Sequence, residues 1–275
     1  MSMHTTAVPA ARPRPRTGAR RPATFLDAVA GEWIKIRTHR GVLLALLAGV
    51  VVTVVAGANN SSANANALRA GESIGTGSSL VWVTQFGMKF GVIAFAIAGA
   101  LAMTAEYSSG MIRTSLTAVP SRGRLLAAKA TAFAAPALAA GLLASTVAFA
   151  TGSSLLTDAG AKISLSDPGV PRALVGGALF LATSGLFALA LGALLRHPVA
   201  TVAGIFAVYI LPQILGRDLG RSFPFEAGLD VTLADYSSPF GLRDSSTAWS
   251  GYFILLTWTA ATAAVAYALI RRRDA

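Results

Sequence analysis

Residues 173–195, ALVGGALFLATSGLFALALGALL, run for 23 positions without one charged side chain. A helix needs about 20 such residues to cross the hydrocarbon of a bilayer, whereas apolar helices inside soluble cores are usually shorter. Comparable runs lie at about 42–58, 82–104, 127–150, 199–215 and 251–270. The whole chain has 275 residues, 54% hydrophobic and only 13% charged. Ordinary soluble domains carry roughly a quarter charged residues. The expected fold is therefore all-α, a polytopic membrane protein with about six transmembrane helices. Pro136 and Pro212 fall inside runs, which membrane helices tolerate when neighbours satisfy the freed carbonyls. The tightest expected turn is Arg196-His197-Pro198, a charge followed by a helix breaker. Without a turn there, the fourth and fifth runs would form one bent helix.

Charge sets the expected orientation. With six spans, 16 Lys and Arg residues fall on the amino-terminal side of the bilayer and 6 on the other, with Lys89 inside the second run. Basic residues favour the cytoplasmic side. Both termini are thus expected to be cytoplasmic, and Arg271-Arg272-Arg273 closes the last span on that face. The formal charge of +11 serves this orientation. Nucleic acid is not an expected partner, because no basic face interleaved with aromatics is present; membrane lipids are. Arg outnumbers Lys 19 to 4, a composition expected of a bacterial chain from a high-GC genome.

Residues 1–23 are rich in Pro and Arg with no apolar period, and read as a disordered basic cytoplasmic tail. Arg20-Arg21 followed by Phe25-Leu26 is similar to an export signal. The next apolar run begins only at Val42, too far behind for a cleaved leader. Residues 24–275 then form the six-helix membrane domain. Within it, Phe25, Val29, Trp33 and Ile36 recur at helical spacing among Asp27, Glu32, Lys35 and Arg37. That is the pattern of an amphipathic helix lying at the cytoplasmic interface. Residues 59–81 (Asn, Ser, Ala and Gly) read as an outer loop without a core. Residues 216–250 mix aromatic and acidic side chains and can enter the outer interface as short helices.

Chemistry concentrates between the second and third runs, from Glu106-Tyr107 through Gly110, Arg113-Thr114, Leu116 and Pro120-Ser121-Arg122-Gly123-Arg124 to Lys129. Ser121 can cap a helix that starts after Pro120. Alternating charge and apolar residues suit docking to a soluble partner, or simply a basic inner loop that sets topology. Lys89, with Gln85 one turn away, either snorkels to the outer interface or lines a possible substrate path. Gly87 and Gly91, and Ala188 and Gly192, are spaced for close helix approach. His4, His39 and His197 are too scattered for a metal site. The absence of cysteine excludes disulfides and thiolate chemistry. Ser184-Gly185 has no histidine in any span to serve as base, so an intramembrane serine hydrolase is not expected.

In order and placement, Glu32-Trp33-Ile34-Lys35 before the first span and the Glu106 to Lys129 segment after the second resemble the ABC-2 type transporter permeases. The resemblance covers residues 24–273; Ser108-Ser109 departs from it, standing where that family often has basic or bulky residues. It implies a permease subunit of an ATP-driven exporter in the inner (cytoplasmic) cell membrane. Its partners would be a second permease copy or paralogue and a cytoplasmic ATPase. The implied ATPase interface consists of Glu32, Trp33, Lys35, Glu106, Tyr107, Gly110, Arg113, Pro120, Arg122 and Arg124. No G-x-x-x-x-G-K-[ST] phosphate loop is present in the chain. ATP and Mg are accordingly expected on the partner, with no cofactor and no enzymatic activity in this chain. The competing expectation is a membrane anchor or sensor that recruits a cytoplasmic partner without transporting anything.

Overall fold

The computed structural model describes residues 24–75, 80–111, 115, 117, 121–215, 223–232 and 248–272. The expected tail, 1–23, lies outside the described residues. Most of the described residues are helical, and no strand is found among them. Helix α1, Phe25–Thr38, starts at a reciprocal cap: the Asp27 amide donates to Thr24 Oγ1 at 3.2 Å, and the Thr24 amide donates to Asp27 Oδ2 at 2.9 Å. His39 breaks the chain at φ −82°, ψ 94° and accepts from the Val42 amide, capping α2, Arg40–Arg69. Thus α1 is a separate element and not a downward extension of the first span.

Helix α2 corrects one sequence reading. Residues 59–69, expected as loop, continue the helix. Its buried face is Val42, Leu46, Gly49, Thr53, Gly57, Ser61 and Ala65, a stripe that ignores the change from apolar to polar composition. Thirty residues span about 45 Å, well beyond the roughly 30 Å of hydrocarbon. The Asn-rich end can therefore stand in the headgroup region while Ser61 and Ala65 keep packing. Asn60 Nδ2 donates to the Val83 carbonyl at 3.0 Å.

The second run is two helices, α3 (Val81–Gln85) and α4 (Met88–Ser108), hinged at Phe86-Gly87. A Cβ on Gly87 would lie 1.9 Å from the Thr53 carbonyl oxygen, so only glycine lets α4 cross α2 here. Ser121 caps α5, Arg122–Thr157, through the Arg124 amide at 3.4 Å, as its position after Pro120 suggests. Helix α5 runs unbroken for 36 residues through Pro136. Helix α6, Val170–Leu195, is buried on nearly every side and forms the centre of the bundle. It runs parallel to α4, and a Cβ on Gly99 would sit 1.9 Å from the Gly185 carbonyl oxygen.

The short turn reverses the chain. Arg196 takes the left-handed conformation, φ 56°, and ends α6; Pro198 opens α7, Pro198–Leu215. Ile205 packs against Ala96, Ala100 and Ala188, and further along the Tyr209 hydroxyl donates to the Lys89 carbonyl. Helix α7 therefore runs antiparallel to α4 and α6. Helix α8, Pro224–Leu229, and the 3₁₀ turn Asp230–Thr232 belong to the stretch expected at the outer interface. They go deeper than that. Phe225 meets Phe187 and Tyr209 edge-on at 5.8 and 5.5 Å, about four to five turns into α6. Val231 returns to Gly176, near the start of that helix. Helix α9, Ala248–Arg272, packs on α6 and α8 but leaves most of its surface open.

Among the described residues, α2, α3–α4, α5, α6 and α9 are five stretches long and apolar enough to cross a membrane; the apolar stretch of α7, Pro198–Tyr209, is shorter. The glycine crossings give a first prediction. Gly99→Leu overpacks the α4–α6 contact and should cost about 1–3 kcal/mol or more, read as a lowered thermal midpoint of the detergent-solubilised protein. Gly31→Ala, whose Cβ meets nothing within 4 Å, should leave that midpoint unchanged or raise it slightly.

Candidate functional site

The periodicity of α1 suggests a Phe25-Val29-Trp33-Ile36 face. Only half of it docks: Val29 and Ile36 pack inward with Ala28 and Glu32, where Ala28 and Val29 meet the start of α5 at Leu125 and Ala128. Phe25 and Trp33 stay about 40% exposed. The reason lies in a charge that apolar periodicity does not count. Glu32 is 2% exposed and sits between two lysines. Its Oε1 receives Lys35 Nζ at 2.6 Å, and its Oε2 receives Lys129 Nζ. Both ammonium groups also reach Glu106 Oε1 at 2.8 Å. The four side chains close a ring of alternating sign with zero net charge, joining α1, the end of α4 and the second turn of α5.

Burial of isolated charges costs several kcal/mol each, and such charges persist inside proteins when paired and hydrogen-bonded. Glu106 and Lys129 are 3% and 2% exposed. Lys35 uses its third proton on Ser115 Oγ at 2.9 Å, which brings the segment after α4 into the same site. Burial alone would pull the Lys35 ammonium down. The hydrogen bonds to Glu106 and Glu32, and then their charges, outweigh it and hold its pKa above the ordinary 10.5. Glu106 Oε2 has no hydrogen-bond partner among the described residues.

The other residues singled out in the sequence surround this ring. Arg196 lies over the Tyr107 ring at 5.7 Å, fastening the reversal between α6 and α7 to the end of α4. Gly110 has φ +70°, the left-handed position that follows a helix end and that glycine fills without strain. Arg122 Nη1 donates to the Ile270 carbonyl at the end of α9. The side chain of Arg124 is exposed. Arg113 and Pro120 lie outside the described residues. Lys129, noticed only as the end of a motif, is as central as Glu106. Its sequence signal is a lysine two turns into an otherwise apolar helix.

Gln85 and Lys89 part company. Gln85 is buried and paired with Ser145, donating from Nε2 to the Ser145 carbonyl at 3.1 Å and accepting from Ser145 Oγ at 3.2 Å. Lys89 is exposed, 5.9 Å from the Phe86 ring. Among the described residues no group of His, Cys, Asp and Glu is arranged to hold a metal. The architecture is that of a multi-pass helical membrane protein with a neutral charge ring at one end. No family model and no curated protein matches the chain.

Removing one member of a buried ion set leaves uncompensated charge, at about 3–5 kcal/mol. Lys129→Met should cost that much in solubilised stability. The double variant Lys129→Met/Glu106→Gln, which keeps the neutral Glu32–Lys35 pair, should lose less than the single one. The raised pKa of Lys35 fixes the sign of a pH effect. Its contribution is fully present below 10.5 and is lost as pH rises through the higher folded value. In a variant retaining Trp33 alone among the four tryptophans, indole fluorescence should hold steady to about pH 10 and shift above it.

Proposed function

We propose that this chain is the membrane-spanning permease subunit of an ATP-driven ABC-2 type transporter, working as an exporter with a separate cytoplasmic ATPase. The observation that supports this reading most is the ring. Lys35 and Glu106, 71 positions apart, hydrogen-bond directly, so α1 and the end of α4 form one unit. A push on α1 passes to α4 and α5 through ion pairs. In this reading Glu32, Lys35, Glu106 and Lys129 are the joint inside the chain. Trp33, Arg122 and Arg124 stand around it, with Tyr107 and Gly110 shaping the corner.

The reading includes six spans, both termini in the cytoplasm and α1 at the cytoplasmic interface of the inner membrane. The antiparallel run of α7 supports an even number of crossings. The exposed Leu26 and Ile34 suit a helix whose outer side touches headgroups.

Purification of the tagged protein from its native membrane should recover a protein bearing a nucleotide phosphate loop. Trp33→Ala combined with Arg124→Ala should lower that recovery without lowering the amount of folded permease. Repeated recovery of intact protein with no ATPase sinks the proposal. Hydrolysis by a reconstituted complex that moves no solute would point to a non-transporting anchor. Reporter fusions after Leu195 and after Leu215 should report opposite sides of the membrane; the same side for both contradicts six spans.

A further inference from the structure

The first turn of α5 and the last turn of α9 enclose an open cavity of about 390 Å³, lined by Ser121, Arg122, Gly123, Tyr267 and Arg271. We propose that it binds the phosphate of an anionic lipid headgroup.

Four observations carry the assignment. The lining brings together two guanidinium groups and two hydroxyls, the donor set that recognises phosphate. No acidic residue lies in the first turn of α5, while the last turn of α9 adds Arg272 to Arg271. The carbonyls that end α9 would repel an anion, but Arg122 donates to the Ile270 carbonyl and offsets that edge. Finally, the cavity opens beside a lipid-facing helix. Tyr267 is 38% exposed and continues an apolar face of α9 with Phe253 and Leu256, 58% and 42% exposed, on the same side of the helix as Arg271. Acyl chains can lie along that face while the headgroup reaches Arg122 and Arg271. Basic pockets where helices leave the bilayer suit anionic headgroups. The site shares Arg122 with the surface proposed to meet the ATPase, but binding of the headgroup uses no member of the charge ring and needs no ATPase.

The full-length protein is placed in nanodiscs of phosphatidylcholine with a rising fraction of phosphatidylglycerol, and retained lipid is counted by native mass spectrometry. Phosphatidylglycerol should be retained in preference to phosphatidylcholine. Arg271→Gln should weaken retention about five-fold, Arg271→Lys should preserve most of it, and Arg37→Gln, an exposed charge on α1 outside the cavity, should change nothing. Phosphatidylglycerol should also raise the protein's thermal midpoint, and in pure phosphatidylcholine discs millimolar inorganic phosphate should give no comparable stabilisation. Equal retention of both lipids, or equal loss with Arg37→Gln, overturns the proposal. Stabilisation by inorganic phosphate with no preference for phosphatidylglycerol overturns the lipid assignment.

Discussion

Four charges that no apolar environment would accept singly are held together by the neutrality of their ring. Glu32 offers one oxygen to each lysine, and Glu106 offers a single oxygen to both. Because the four residues come from α1, α4 and α5, the ring can form only when those elements are docked. Electrostatics therefore dictates the geometry of this end of the bundle. It turns α1 so that a carboxylate, not its aromatic stripe, faces inward. Through Lys35 and Ser115 it also gathers the segment that follows α4.

Away from the ring the bundle is held by shape. Gly87 and Gly91 sit against Thr53, and Gly99 against Gly185, so close that a methyl group would collide. Lipid chains are as apolar as leucine, so membrane helices gain from such close approach and from the few polar contacts they share. Gln85 with Ser145 and Thr183 with Tyr252 are contacts of that kind. The α8 segment fills the space between α6, α7 and α9 from the end opposite the ring. One end of the molecule is thus pinned by charge, while aromatic packing around Phe225 fills the middle of the bundle.

Five of the six expected apolar helices were legible as long enough to span because composition and length decide them; the apolar stretch of α7 is shorter than the run suggested. Ser121 as a cap and Arg196-His197-Pro198 as a reversal were legible because each rests on local backbone chemistry. The continuation of α2 past Asn59 was not, since the stripe Gly57-Ser61-Ala65 has little hydrophobic signal and matters through its neighbours: Thr84 and Gly152 against Gly57 and Ser61, and Leu80, Val83 and Leu156 around Ala65. The individual members of the ring could be seen as odd charges beside apolar runs. Their mutual pairing could not, because it joins positions up to 97 residues apart. Lys89 and Gln85 looked alike in sequence for the same reason. Which side of a helix faces inward is a property of the neighbours, and they place one residue inside and the other on the surface.

The central claim is that the ring fixes α1 against α5. The chain contains no cysteine, so spin labels can be attached only where they are introduced. Gly31→Cys on α1 and Thr131→Cys on α5, both at exposed positions, report the spacing of the two helices by pulsed dipolar spectroscopy. The account predicts a single narrow distance distribution that broadens when Lys129→Met is added. A broad distribution before that change, or an equally narrow one after it, would contradict the account.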